Sequence, residues 1–110
     1  MPIYNKLVRD LIPKIIQEDG KTCTTRTLSN DEWIKAIQEK LFEEAEEVKS
    51  AHSKDEQLEE LADVLELLHA HAHAVGATFE DVENIRKKKK AQRGGFDEAI
   101  FLIEVKEDET

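Results

Sequence analysis

Two short acidic motifs on neighbouring predicted helices constrain this chain more than any other feature. The first, Glu44 to Glu47, has the form E-x-x-E, and the second, Glu60 to Asp63, has the form E-x-x-D after twelve intervening residues. Residues three apart lie on one side of an α-helix, so each motif places two carboxylates side by side. Four converging carboxylates repel one another unless a cation lies between them, and oxygen ligands suit Mg²⁺ or Mn²⁺. The four motif carboxylates therefore predict a divalent metal site.

Helix start and stop signals indicate that these motifs lie on an antiparallel helical hairpin. Ser29 to Glu32 and Ser53 to Glu56 are capping boxes, which should open helices that run to about Ala51 and to Gly76. The connection between these helices is short, so they should pack antiparallel. Shorter helices are expected on either side of this hairpin, at residues 11–18 and from residue 78 to about residue 93.

Two further segments predict a small β ribbon. Lys21 to Leu28 is rich in threonine, and Ala99 to Val105 is almost continuously apolar, a composition that favours strands. Each is the other's only obvious partner. The expected fold class is mainly α with a two-stranded β ribbon, in a single domain of residues 1–110.

The position of each carboxylate around its helix determines whether it faces the core. In the first long helix Glu44 falls inside an apolar stripe, whose members are Ile34, Ile37, Leu41 and Val48. The next helix is apolar on two sides. Its main stripe consists of Leu58, Leu61, Leu65, Leu68 and Ala72, and its second face carries Asp63 with Leu67, Ala70 and Ala74. A helix covered on two sides is central in a bundle, so we expect Glu44 and Asp63 to be buried.

Charge and composition narrow the class of ligand. The net charge of −9 argues against a nucleic-acid backbone as the main partner. Residues 39–66 are strongly acidic and residues 83–93 strongly basic, which suits a metal-bound polyphosphate. Cys23 is the single cysteine, there is no signal-peptide pattern, and no apolar run is long enough for a membrane, so a cytoplasmic location is expected. A hydrophobic fraction of 39% predicts a thin core that oligomerisation would complete.

Other polar residues near the motifs have weaker signals. Glu43 is rotated by about 100° from Glu44, so it is a candidate general base beside Glu44 itself. His69 and His73 share a helical face without an acidic or cysteine ligand beside them, and a position at the surface or at an interface is the better interpretation. Lys90 and Arg93 precede Gly94-Gly95, where cations and a close backbone approach together suit phosphate.

The paired motifs resemble those of the MazG-like, all-α nucleoside triphosphate pyrophosphatases, a superfamily that includes dimeric dUTPases and phosphoribosyl-ATP pyrophosphohydrolases. The segments Tyr4 to Asp10 and Arg93 to Phe96 resemble a small stand-alone branch described as house-cleaning phosphohydrolases. The resemblance implies Mg²⁺-dependent hydrolysis of a canonical or non-canonical nucleoside triphosphate to monophosphate and pyrophosphate. It also implies a helical bundle completed by dimerisation. The candidate phosphate ligands are then Asn5, Lys6, Arg9, Lys90 and Arg93.

Two other functions stay open. The chain is also compatible with a non-enzymatic helical dimer that binds a partner through its acidic face, although a carboxylate at the core-facing position of Glu44 argues against this. It is also compatible with phosphoribosyl-ATP hydrolysis in histidine biosynthesis. The segment Tyr4 to Asp10 and the expected β ribbon argue against that substrate.

Overall fold

A computed structural model describes residues 2–107. It contains four helices, which are α1 (Ile12–Glu18), α2 (Asn30–Ser50), α3 (Lys54–Ala74) and α4 (Phe79–Arg93). Their order and bounds confirm the helices predicted from the sequence. The chain divides after Phe79 into two units, and folding of the whole chain as a single domain stays a prediction. Among the described residues, no helix combines the length and apolar character that crossing a membrane requires.

The two long helices begin at side-chain caps. At α2 the capping box is complete, because Ser29 Oγ accepts from the Glu32 N–H (3.3 Å) and the Glu32 carboxylate accepts from the Ser29 N–H (3.2 Å). At α3, Ser53 Oγ accepts from the Glu56 N–H (3.1 Å), but the Glu56 carboxylate accepts from the N–H of His52 (3.1 Å). This shifted bond ties the interhelical connection to the first turn of α3.

The end of α3 is fixed by a glycine in a left-handed conformation. Gly76 has φ +84°, a value that costs a residue without a Cβ little. The Ala77 N–H donates to the Ala72 carbonyl (2.9 Å) and the Gly76 N–H to the His73 carbonyl (3.0 Å). These two bonds form a Schellman motif, which satisfies carbonyls that the helix leaves free.

The core lies between α2 and α3. Its centre is Ile37, which is fully buried, against Leu67 and Ala74 of α3. Partly buried side chains surround this centre, namely Leu7, Trp33, Ile34, Leu41 and Ala70. Ile34, Ile37 and Leu41 of the stripe predicted for α2 therefore lie at the core, and Leu7 shows that the N-terminal segment also packs here.

On α3 the face that packs against α2 is not the main stripe. Leu67, Ala70 and Ala74 face the core, whereas the four leucines of the main stripe, Leu58, Leu61, Leu65 and Leu68, keep between 40% and 54% of their surface exposed. Ala72, the fifth member of that stripe, is buried. The sequence identified both faces but ranked them by hydrophobicity alone.

The predicted β ribbon is wrong for this structure. Neither residues 21–28 nor residues 99–105 form a strand, and the described part of the chain contains none. The large apolar side chains of residues 100–105 are 72–88% exposed. Strand propensity only favours an extended backbone, since pairing and burial must supply the stability, and an isolated two-stranded ribbon is marginal.

Acid should weaken the start of α2. Hydrogen bonds from Arg26 (Nη2 to Oε2, 2.8 Å) and from Ser29 lower the pKa of Glu32 from its ordinary 4.5 to about 2. Because the folded-state pKa is depressed, this stabilisation is complete above pH 4.5 and is lost as the pH falls toward 2. We expect Glu32→Gln to lower the urea midpoint of unfolding at neutral pH, and the difference from wild type to shrink on acidification.

Arg26→Ala should show the same pH dependence with smaller amplitude, because the capping bonds to Ser29 remain. A difference between wild type and Glu32→Gln that stays constant from neutral pH down to pH 2 would contradict this account.

Candidate metal centre

Three of the four motif carboxylates converge at the α2–α3 interface. Glu44 reaches it because it shares the apolar stripe of Ile37, and Asp63 because it shares the face of Leu67. Glu60 precedes Asp63 by one helical turn. Carboxylate oxygens of Glu44, Glu60 and Asp63 all lie within 4.8 Å of one another. We call these three residues the acidic triad.

The acidic triad is half-buried, so the expectation of full burial is wrong. No charged side chain in the described part of the chain is buried, and the Asp63 side chain keeps 40% of its surface exposed. The reason is position along the hairpin, since the buried core around Ile37 ends before the helices reach the triad. The carboxylates therefore have apolar packing on one side and access for a ligand on the other.

The surroundings of Glu60 disfavour its ionised form. Partial burial raises the pKa of Glu60, and so do its hydrogen bond with Glu44 and the negative charges of Glu47, Glu44 and Asp63. Each of these causes disfavours the ionised carboxylate. A divalent cation would relieve the same repulsion, and three carboxylates are hard oxygen ligands of the type that Mg²⁺ and Mn²⁺ take. The residues present therefore fit such an ion.

Glu47 and Glu43 lie outside the triad. Both side chains are exposed on α2. Glu47 is still close enough for its charge to act on Glu60, so it belongs to the same electrostatic site. The roles of Glu47 as a metal ligand and of Glu43 as a general base stay predictions.

Arg9 supplies a positive charge directly to the triad. Its guanidinium donates from Nη2 to Asp63 Oδ1 over 2.6 Å. The sequence predicted Arg9 as a phosphate ligand and missed this contact, because 54 residues separate the partners and no local pattern connects them. The packing of Leu7 against the core is what brings Arg9 within reach of α3.

The other four predicted phosphate ligands lie in surroundings that differ from those of Arg9. Lys6 places its ammonium 5.6 Å from the centre of the Tyr4 ring, and Asn5 has a left-handed backbone with φ 44°. Lys90 and Arg93 lie in the last turn of α4, in the second unit. Of the five, Arg9 is the one whose contact with the acidic triad the described residues show.

The histidines of α3 make contacts unrelated to the triad. The His69 ring stacks on Phe79, with 3.7 Å between ring centroids and 19° between planes. His71 Nε2 lies 3.5 Å from Gln38 Nε2. These contacts link the end of α3 to Phe79 and to α2, so they are consistent with a structural role for His69 and His71.

Comparison of the sequence with known families finds a match that covers most of the chain. The family described as phosphoribosyl-ATP pyrophosphohydrolase matches residues 8–90. The chain belongs to that family, within the MazG-like all-α nucleoside triphosphate pyrophosphatase superfamily. The matched region contains Arg9 and every carboxylate of the two motifs.

A relative from Mycolicibacterium smegmatis (strain ATCC 700084 / mc(2)155), described as an uncharacterized protein, is 46% identical over 54 residues. The match covers 49% of this chain and 55% of that protein, so the chain spans about half the length of this curated relative. No solved structure matches.

Removing one charge from the triad should stabilise the protein in the presence of a chelator. Glu44→Gln takes away a carboxylate that opposes ionisation of Glu60, so we expect a melting temperature a few degrees above wild type in EDTA. The same variant should lose most of the stabilisation that saturating Mg²⁺ gives wild type, because a ligand oxygen is missing. Differential scanning fluorimetry measures both changes.

The matched control is Glu43→Gln, which removes an exposed charge next to Glu44 but outside the triad. It should leave both the melting temperature in EDTA and the Mg²⁺ shift close to wild type. Equal effects of the two substitutions would show that the triad behaves as an ordinary solvated helix surface.

Proposed function

We propose that the protein is a Mg²⁺-dependent pyrophosphohydrolase that cleaves the anhydride between the α- and β-phosphates of a nucleoside triphosphate, releasing the monophosphate and pyrophosphate. Mn²⁺ is the alternative ion. The observation that carries this proposal is the convergence of Glu44, Glu60 and Asp63 in a chain of a pyrophosphohydrolase family. A cytoplasmic location is part of the proposal, because the lone Cys23 cannot form an intramolecular disulfide.

The carboxylates have two tasks in this reaction, which are to hold the ion and to accept a proton from water. Glu44, Glu60 and Asp63 hold the divalent ion, and Glu47 adds negative charge from the next turn of α2. When bound, the ion supplies positive charge to phosphate oxygens and acidifies water. Glu44 or its neighbour Glu43 accepts the proton that the attacking water loses. Phosphoryl and nucleotidyl transfer depend mainly on positioning and charge stabilisation, which a rigid helical hairpin provides.

Cations of the chain balance the charge that the ion leaves. A triphosphate carries more negative charge than one divalent ion neutralises, so the remaining oxygens need basic partners. Arg9 is supported in this role by its position beside Asp63. The other proposed phosphate contacts are Asn5, Lys6, Lys90 and Arg93. Lys90 and Arg93 share one side of α4, since they are three residues apart.

Phosphoribosyl-ATP is a second candidate substrate, and the matching family favours it. The bond cleaved is the same, because this substrate also releases pyrophosphate from a triphosphate chain. One of the two sequence arguments against it no longer holds, since the β ribbon does not form. The N-terminal segment Tyr4 to Asp10, whose Arg9 contacts the triad, is the remaining argument for a different substrate.

A homodimer or homotetramer is also part of this proposal. Four leucines of α3 form an exposed stripe along one side of the helix, namely Leu58, Leu61, Leu65 and Leu68. In the described residues only four hydrophobic side chains are buried, so a single chain leaves much of its apolar surface in water. Burying a leucine that is otherwise exposed contributes about 1.5–3 kcal/mol. A second copy on this stripe would complete the thin core.

Product analysis tests the reaction. With Mg²⁺, we expect pyrophosphate and the monophosphate from at least one member of a panel of standard and damaged nucleoside triphosphates and phosphoribosyl-ATP. Chelation and the Asp63→Asn substitution should both abolish turnover, because each removes the ion from the site. The preferred substrate, compared by kcat/KM, decides between the two candidates. Release of orthophosphate from every triphosphate would contradict cleavage between the α- and β-phosphates.

A charge on the leucine stripe should separate the subunits. We expect wild type to run as a dimer or tetramer in size-exclusion chromatography with light scattering, and Leu61→Glu to run as a monomer, because burying an unpaired carboxylate at an interface is costly. The control is Glu59→Gln, an exposed change two residues away. A monomeric wild-type protein would exclude this interface.

A further inference from the structure

The contact between Arg9 and Asp63 bears on how the site accepts its ligands. Asp63 is one of three residues that converge on the candidate metal centre, yet one of its oxygens already accepts a hydrogen bond from a guanidinium. Arg9 and a divalent cation are both attracted to the same carboxylate and repel each other. Either Arg9 supports Asp63 as an outer partner, or it competes with the ion.

We infer that Arg9 is a resident counter-charge that competes with the divalent ion for Asp63 and transfers to the nucleotide's phosphate oxygens when ion and nucleotide bind together. This inference rests on the proposed function, since it assumes that the triad holds a metal ion. It adds a property that the reaction itself does not require. The free ion and the ion–nucleotide complex should respond to Arg9 in opposite directions.

Exposure indicates that this ion pair can open at little cost. The side chains of Arg9 and Asp63 keep 57% and 40% of their surface in solvent. Exposed pairs of this kind contribute little to stability, because water competes for both partners and salt screens them. An ion held by three carboxylates would interact with Asp63 more strongly than one guanidinium does.

The local backbone allows the transfer. Arg9 belongs to a segment without helix or strand that precedes α1, so its side chain is not fixed by a regular element. Leu7, two residues earlier, packs against the core and keeps the segment beside the triad. The guanidinium has five N–H donors in a planar fork, and the contact with Asp63 leaves most of them available for phosphate.

The charge balance favours an ion that arrives with its nucleotide. A divalent ion alone must displace Arg9 and leave its positive charge beside the new one. An ion bound to a triphosphate brings oxygens that accept the displaced guanidinium. Arg9 therefore biases the site against the free ion and toward the ion–nucleotide complex.

The test is calorimetric titration of Mn²⁺ alone, and then of the Mn²⁺ complex of a non-hydrolysable α,β-methylene triphosphate, into wild type and Arg9→Ala. Arg9→Ala should bind Mn²⁺ alone roughly two- to fivefold more tightly, the range expected for loss of an exposed ion pair. It should bind the analogue complex roughly ten- to a hundredfold more weakly, because a charge-assisted phosphate contact is lost. Arg9→Lys, which keeps the charge, should lie between.

Arg26→Ala is the matched control, since Arg26 also forms an exposed pair with a carboxylate, that of Glu32. Glu32 lies twelve residues before Glu44, or about 18 Å along α2, which exceeds the screening length of about 8 Å at physiological salt. This variant should leave both affinities unchanged. The assay should be repeated in high salt, where the effect of Arg9→Ala on Mn²⁺ alone should shrink.

Several outcomes would overturn the inference. Weaker or unchanged Mn²⁺ binding in both Arg9 variants would mean that Arg9 supports Asp63 or is indifferent to the ion. Tighter Mn²⁺ binding with no change for the analogue complex would refute the transfer to phosphate. Absence of Mn²⁺ binding in wild type would instead remove the metal site of the proposed function, which distinguishes the two failures.

Discussion

The repulsion among the carboxylates of the acidic triad is the constraint on which the rest of the structure depends. Carboxylate oxygens of Glu44, Glu60 and Asp63 lie within 4.8 Å of one another, and the charges of Glu44 and Asp63 disfavour ionisation of Glu60. They stay together because α2 and α3 are fixed by an apolar core centred on Ile37 and by a short capped connection. The free energy of that packing offsets the electrostatic cost. A cation bound at the triad would remove this repulsion, and its relief would contribute to the affinity for the cation.

The N-terminal segment contributes both to the core and to the charge of the site. Leu7 contributes to the same core, and Arg9 brings a positive charge to Asp63. One short irregular segment thus links hydrophobic packing to the charge of the site. If the proposed function is correct, this link would help a strongly acidic chain to attract a polyphosphate, because Arg9 partly neutralises the site before a ligand binds.

The features of the fold and of the site that the sequence predicts are those set by residues close together in the chain. Helices α2 and α3 follow from capping serines and from Gly76, whose bonds involve residues only a few positions apart. Convergence of the motifs follows from helical phase and the short connection. Three other features depend on how distant parts of the chain pack, or on whether a second copy binds. They are the Arg9–Asp63 contact, the exposure of the leucine stripe and the absence of the β ribbon. Local pattern carries no information about either.

In the proposed dimer or tetramer, the two faces of α3 would have different roles, one in assembly and one in binding the ion. Asp63 and Leu67 lie on one face, whereas Leu61 and Leu65 are each rotated by about 160–200° from Asp63. A second copy packed on the leucines would therefore brace α3 from behind without covering the triad. Such bracing would add to the packing around Ile37, because the described residues bury few side chains. Assembly would thus hold the carboxylates at the spacing that an ion requires, while the opening toward the nucleotide stays clear.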